Sequence, residues 1–290
     1  MAINVIRDFE YHVPKTVREA AEILSRYEDV RIIAGGTDVI PRLKAGIWQP
    51  AHLMSLKGLP ELKSMRYDPE EGLVFGARCT LRELEAFAPI KENYTALWEG
   101  MHSIANTQVR NAATPVGNIV NAVPSADTAP AMLVLDAQLS VVSERGERIL
   151  PVDELFVGVC QTSLERDELV TEVRIPPLAE GTGTMYYKYS VRKALDLAMI
   201  GSAARITVKD GICTDARIAL GAVAATPVRA RNAEEALIGG ELTAERIEKA
   251  ALIASEQDCA PITDMRATKE YRREMVRVIT RDAIREAVAG

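Results

Sequence analysis

The residues of this chain best suited to chemistry lie in two glycine-bearing stretches. The first is Ile32-Ile33-Ala34-Gly35-Gly36-Thr37-Asp38-Val39. Paired glycines after an apolar run allow positive φ and let another group approach the backbone closely. Successive N–H groups in such a loop can form a concave anion site, suited to a phosphate or pyrophosphate. An ordinary glycine turn is the alternative for this stretch taken alone. It is neither a G-x-G-x-x-G fingerprint nor a P-loop, because no further glycine or lysine falls at the required spacing. The second stretch runs from Thr114-Pro115-Val116-Gly117-Asn118 to Ala122-Val123-Pro124-Ser125-Ala126-Asp127. Backbone N–H groups and the hydroxyls of Thr37 and Thr114 are neutral donors for a dianion. Asp38 and Asp127 would repel phosphate, so they suit sugar or ribityl hydroxyls or loop amides. Asp127 also suits the N-cap of a helix before Ala129.

Two further segments carry clustered polar residues. One is Tyr186-Tyr187-Lys188-Tyr189-Ser190-Val191-Arg192-Lys193, followed by Ala194-Leu195-Asp196-Leu197-Ala198. The other is Asp264-Met265-Arg266-Ala267-Thr268-Lys269-Glu270-Tyr271-Arg272-Arg273. Taken in order, the four segments resemble the FAD-binding (medium) subunit of the molybdenum hydroxylases. Those are the medium subunits of the xanthine dehydrogenase and aerobic carbon monoxide dehydrogenase families. The family patterns are approximately A-G-G-T/H-D/S, T-I/V-G-G-N with A-S-P-x-x-D, Y-x-K-x-x-x-R-x-A, and D-x-R-A-S-x-x-Y-R-R. Thr114, Gly117, Asn118, Ala122, Pro124 and Asp127 match in order. Pro115, Val116 and Val123 depart, and a positive φ at residue 116 would strain valine.

The resemblance implies an α+β fold. A two-lobed FAD-binding domain of the vanillyl-alcohol-oxidase (PCMH) type comes first, then a C-terminal domain of a three-stranded antiparallel sheet packed on helices. It implies FAD stretched between the lobes, with its pyrophosphate clamped by Ile32, Ile33, Ala34, Gly35, Gly36, Thr37, Asp38 and Val39 and by Thr114, Gly117 and Asn118. Asp127 and Lys188 complete the implied contacts, and Ile104 and Val170 correspond to apolar flavin neighbours. One of Tyr186, Tyr187 and Tyr189 would shield the flavin ring. Tyr187 and Tyr189, on one strand face, are the candidate gate for an incoming nicotinamide. Asp264, Arg266 and Arg272 read as a structural ion-pair network. The resemblance also implies two partners, a large molybdenum-cofactor subunit and a small [2Fe–2S] subunit. Electrons would pass from the clusters through FAD to an external acceptor, NAD or another. No residue in the chain reads as catalytic or as a metal ligand, which fits a subunit whose chemistry is the cofactor's.

Composition sets limits on this reading. The chain has 290 residues, 48% hydrophobic, which is enough for two domains or three small ones. A net charge of −6 with 5% aromatics offers neither the basic face nor the stacking platforms of a nucleic-acid binder. The first residues lack the basic and apolar regions of a signal peptide, and no apolar run is long enough to span a membrane. Cys79, Cys160, Cys213 and Cys259 are scattered, as expected of buried, reduced thiols in a cytoplasmic protein. His12, His52 and His102 stand apart from any hydrolase arrangement and read as structural.

The elements that must position these residues follow from pattern. Residues 1–11 read as an extended edge. Thr16-x-x-Glu19 and Thr80-x-x-Glu83 are capping boxes that open helices. Val30–Ala34, His52–Leu56, Gly72–Ala77 and Leu169–Pro176 read as strands, and Pro41 limits any helix after the glycine loop. Gln138–Ser143 and Arg148–Val152 form a hairpin, and Asp210-Gly211 turns another. Helices are expected at Leu97–Ala105, Ala129–Asp136, Ala233–Leu237, Ala244–Glu256 and Tyr271–Val288. This places lobe 1 at 1–56, lobe 2 at 57–177, a linker of prolines and glycines, and a C-terminal domain at 184–290. Two other classes stay open: a stand-alone flavin oxidoreductase of the same fold, and a flavin-less assembly partner.

Overall fold

In the computed structural model, which describes residues 6–192 and 194–289, the apolar run before the glycine loop lies in a small parallel sheet. The extended edge read for residues 1–11 falls partly outside the described residues, as does Lys193. The sheet is built from β1 (Glu10–His12), β2 (Val30–Ile33) and β3 (His52–Ser55) in the order β1-β3-β2. Between β1 and β2 runs α1 (Val17–Arg26), which buries Ala20, Ala21 and Leu24. Its capping box is half made. Thr16 accepts from the Glu19 N–H, but the Glu19 carboxylate takes the Lys15 N–H at 2.7 Å. After the glycine loop, α2 (Val39–Lys44) forms in spite of Pro41. The proline lies in the first turn, where its missing N–H has no intrahelical partner to lose.

The second unit is an antiparallel sheet wrapped around a helical insertion. It comprises β4 (Met65–Asp68), β5 (Gly72–Gly76), β6 (Gln138–Ser143), β7 (Gly146–Pro151) and β10 (Leu169–Ile175) in the order β4-β5-β10-β6-β7. A small hairpin, β8 (Phe156–Gly158) and β9 (Gln161–Thr162), precedes β10. The insertion holds α3 (Leu81–Glu85), α4 (Ala88–Asn93), α5 (Thr95–His102), α6 (Thr107–Arg110), α7 (Pro115–Val120) and α8 (Thr128–Val134). The Thr80–Glu83 box is complete in both directions. Strand β4 has no counterpart in the sequence reading: it is a short edge whose inward residues are Met65 and Tyr67. Cys160, in the β8–β9 turn with φ 55°, is exposed, which corrects the expectation of four buried thiols; the other three are buried.

The third unit is β11 (Thr182–Tyr189), β12 (Ile200–Lys209), β13 (Ile212–Gly221) and β14 (Val228–Arg229), with α9 (Arg231–Leu237), α10 (Ala244–Glu256) and α11 (Lys269–Ala289). The sheet has four strands rather than three, because Val228 and Arg229 pair with Leu220 and Ala219. A two-residue edge leaves no alternation to read. Asp210 and Gly211, at φ 52° and 79°, make the β12–β13 turn as expected. One face of this sheet packs on α9 and α11, with α10 against both helices, and the other on α5 and α8 of the second unit. Strand β11 therefore presents one row of side chains to the helical insertion. Among the described residues no helix is long and apolar enough to cross a membrane.

An ion pair between the exposed Arg148 and the buried Glu168 ties the β6–β7 hairpin to the turn before β10. The Arg148 guanidinium donates two bonds to Glu168, at 2.7 and 2.8 Å, and the Glu165 N–H adds a third. The hydrogen bonds from Arg148 hold the Glu168 carboxyl below the usual carboxylate value, although burial opposes the shift. A lowered folded pKa gives stability that is present above the unfolded carboxylate value of about 4.3 and is lost as pH falls through the lower folded value. Glu168→Gln is therefore expected to destabilise the protein at neutral pH. The difference should shrink as urea midpoints are taken to progressively lower pH. A difference that stays constant with pH would rule the linkage out.

Candidate cofactor site

The two glycine stretches, far apart in sequence, touch. A Cβ placed on Gly35 would lie 1.8 Å from the Ala112 carbonyl oxygen and 3.0 Å from the Ala113 nitrogen. Gly35 thus packs backbone to backbone against the α6–α7 connection, just before Thr114. Gly36 is left-handed, at φ 75°, and its missing Cβ would meet only the side chains of Ile33 and Ile40. Among the described residues, the N–H groups of Gly35, Gly36, Thr37 and Asp38 have no hydrogen-bond partner, nor have the Thr37 hydroxyl or the Asp38 carboxylate. Ile32, Ile33, Val39 and Ile40 beside them are half-buried.

The second stretch is a helix start rather than a loop. Thr114 is the N-cap of α7, accepting from the Gly117 N–H at 3.0 Å, and Pro115 occupies the first helical position. Proline pre-sets the helical φ there and gives up an N–H that would be unpaired anyway. Val116 consequently avoids the left-handed region and is buried, so the strain expected of valine does not arise. The Val116 N–H is another donor without a partner among the described residues. The Asn118 amide oxygen accepts from the Thr128 N–H and hydroxyl and so caps α8. A neutral, backbone-borne donor set flanked by glycines and half-buried apolar side chains fits a dinucleotide pyrophosphate.

Asp127 neither caps α8 nor faces solvent. Its carboxylate accepts from the Tyr186 hydroxyl at 2.8 Å and from the Lys188 ammonium at 2.9 Å. Lys188 also donates to the Ser103 carbonyl at 3.1 Å. Alternation on β11 puts Thr184, Tyr186 and Lys188 in one row, facing α5 and α8. Two glycines make room: a Cβ on Gly100 would come within 2.9 Å of the Asp127 carbonyl, and one on Gly201 within 2.6 Å of the Tyr186 hydroxyl. Burial pushes the Asp127 carboxyl up, with Lys188 and Tyr186 pulling it back. Burial and the neighbouring carboxylate together push the Tyr186 phenol far up, so it remains a donor.

The same alternation removes the proposed gate. Tyr187 and Tyr189 share a face, as expected, but it is the face packed on the C-terminal core, opposite Lys188. The Tyr189 and Tyr271 hydroxyls lie 2.6 Å apart, which fixes the former to α11. Of the apolar candidates, Val170 is buried in the main core opposite Val141, while Ile104 is half-buried next to Ser103. Arg272 is structural, as expected: it bridges Asp264 at 2.9 Å and donates to the Met199 and Ala222 carbonyls. Three alanines nearby, Ala105, Ala122 and Ala222, are left-handed, and nothing in the sequence marks them. Ala105 bonds the Leu195 N–H, Ala122 bonds the Cys160 N–H, and Ala222 donates to Pro124. Strained φ values cluster where surrounding structure over-determines them, often at ligand sites. Alanine carries no side-chain mark of that conformation, so the pattern could not have been read.

Two family models divide the chain. A model described as the FAD binding domain in molybdopterin dehydrogenase matches residues 7–178, and one described as the CO dehydrogenase flavoprotein C-terminal domain matches 185–287. The chain is 34% identical over 284 residues to the xanthine dehydrogenase FAD-binding subunit of Escherichia coli O157:H7, covering 97% of this chain and 96% of that one. It is 33% identical to the carbon monoxide dehydrogenase medium chain of Hydrogenophaga pseudoflava, with 97% of each covered. A solved carbon monoxide dehydrogenase from the same organism superposes with a TM-score of 0.94, at 33% identity over 98% of this chain and 99% of that chain. A quinoline 2-oxidoreductase from Pseudomonas putida 86 superposes at 0.92, at 28% identity over 99% of each chain.

Proposed function

The chain belongs to the FAD-binding subunits of the molybdenum hydroxylases, and from that premise we propose that it carries electrons within a heteromeric complex of that type. Its partners on this reading are a large molybdenum-cofactor subunit and a small [2Fe–2S] subunit. FAD held by this chain would link the iron–sulfur centres to an external acceptor such as NAD. We place the complex in the cytoplasm, in keeping with the free cysteines. The observation that carries the reading is the backbone contact of Gly35 with Ala112, which brings two sets of unpaired N–H donors to one place.

We assign the pyrophosphate to the loop Ile32, Ile33, Ala34, Gly35, Gly36, Thr37, Asp38 and Val39 and to Thr114 and Gly117 at the start of α7. When bound, FAD supplies a junction that exchanges electrons singly on one side and in pairs on the other. The chain's own residues bind and orient. Asn118 fixes α8 against α7. Lys188, anchored by Asp127, donates to the Ser103 carbonyl and through it holds the position of Ile104. We keep Val170 as an apolar wall of the flavin side. The division into lobes 1–56 and 57–177 and a domain 184–290 follows the same reading.

Co-expression with a large molybdenum-cofactor subunit and a small [2Fe–2S] subunit of this type tests the reading. The expected product is a stable complex whose visible spectrum shows flavin and iron–sulfur absorption, with the flavin released on denaturation. A flavin-free chain that joins no such complex would overturn the assignment. Turnover of a substrate by this chain alone, with flavin bound, would favour the stand-alone oxidoreductase instead. Supplying NAD, a quinone analogue and oxygen in turn to the reduced complex identifies the acceptor.

A further inference from the structure

Away from the cofactor site, the parallel pairing of β1 and β3 assembles a set of metal-type ligands. Glu10 and His12 lie two residues apart on β1 and so share a face. His52 on β3 is in register with Glu10. The His12 Nε2 and His52 Nδ1 atoms are 3.1 Å apart. The Glu10 carboxylate lies 3.4 Å from His52 Nδ1 and 3.9 Å from His12 Nε2. One ligand atom from each residue therefore falls within 4.8 Å of the other two. Both imidazoles are largely buried, and Tyr27 backs them, its ring centroid 4.2 Å from that of His52 and 5.1 Å from that of His12.

We propose that Glu10, His12 and His52 form a binding site for a first-row divalent cation, of which zinc is the best fit. Tetrahedral zinc holds imidazole nitrogens at about 2.0–2.1 Å, which puts two such nitrogens about 3.3 Å apart. The observed separation is within reach of that value without moving either strand. Two imidazoles and one carboxylate are a donor set that zinc accepts, and the fourth position is left to water or an exogenous ligand. The rings are preset by the sheet register and by the Tyr27 contacts, so little ordering remains to be done on binding. A bound ion would bridge β1 to β3 and so fasten the N-terminal strand to the first sheet.

The competing account is a histidine pair joined by one hydrogen bond, with Glu10 as an exposed bystander. The two accounts separate by titration of zinc, and of cobalt as a spectroscopic probe, into the full-length protein freed of metal. The expected result is one zinc per chain, displaceable by a strong chelator, and visible cobalt bands of tetrahedral intensity. Glu10→Gln alters a largely exposed side chain and should leave the fold and flavin content unchanged. It should nevertheless weaken zinc binding roughly tenfold or more, since even an outer-shell partner is worth that much. His52→Asn should abolish the site, and holding β1 in place then falls to strand pairing alone. Stoichiometric binding that survives unchanged in Glu10→Gln, or no binding by the wild-type chain, would overturn the proposal. Because His52 is largely buried and Glu10 is not, Glu10→Gln decides.

Discussion

Alanine at Gly35 is expected to strip the protein of flavin. The added Cβ would sit 1.8 Å from the Ala112 carbonyl oxygen, a backbone atom with no rotamer to yield. Ala112 and Ala113 are themselves fixed, because the Leu81 N–H donates to the Ala113 carbonyl at 2.8 Å and the Ala113 N–H to the Val109 carbonyl. The β2–α2 loop must therefore move off the start of α7, and the two donor sets separate. Gly36→Ala provides the contrast. Its Cβ would meet only the ends of Ile33 and Ile40, and the cost is that of a left-handed alanine, about 1–2 kcal/mol. Flavin absorbance per chain after gel filtration should fall at least roughly tenfold for Gly35→Ala, which corresponds to about 1.4 kcal/mol or more of binding. The loss should be smaller for Gly36→Ala. Circular dichroism of the flavin-free proteins checks that both are folded. Equal, full flavin content in a folded Gly35→Ala protein would remove the pyrophosphate assignment.

What the sequence disclosed divides by the range of the interactions. Thr80-x-x-Glu83 reads as a capping box and is one, because all its partners lie within a turn. The same pattern at Thr16 is only half realised, since Lys15 competes for the Glu19 carboxylate, and no pattern encodes that competition. The glycine loop was legible from paired glycines, whereas its contact with Ala112 was not: no feature of Ala112 marks it as the wall that makes Gly35 necessary. Thr114 to Asn118 read as a loop through the family's glycine pair. Pro115 in fact signals the first position of a helix, a local rule that outweighed the departure at Val116. Asp127 read as a cap or a sugar ligand, each a local or ligand-directed role. Its actual partners are 59 and 61 residues away on β11. Strand alternation separated Tyr186 from Tyr187 and Tyr189 correctly, but which row faces the helical insertion depends on how the third sheet packs. His12 and His52 were invisible as a pair for the same reason: only the register of two parallel strands joins them.

The Asp127–Lys188–Tyr186 group should give the largest change in folding stability of any single site outside the core. Asp127→Ala leaves the Lys188 ammonium, 10% exposed, with the Ser103 carbonyl alone. It also leaves the buried Tyr186 hydroxyl without its acceptor. Removing one partner of a buried, hydrogen-bonded pair costs about 3–5 kcal/mol, mostly through the charge left behind. Lys188→Met behaves differently, because the stranded carboxyl can take up a proton and become neutral. Burial already pushes the Asp127 carboxyl up, and Lys188 is the strongest influence holding it down. Without Lys188 its folded pKa rises further above the unfolded value. Such a group stabilises the fold most below its unfolded pKa, and the benefit is lost as pH rises through the folded value. The deficit of Lys188→Met against wild type should therefore grow as pH rises above the unfolded carboxylate value of about 3.9, whereas that of Asp127→Ala should not grow in this way. Urea midpoints for the three proteins across that range make the comparison. Two variants with equal deficits and the same pH profile would mean that the pair acts as packing rather than as charge, and a loss below about 1 kcal/mol in Asp127→Ala would mean that water reaches the site.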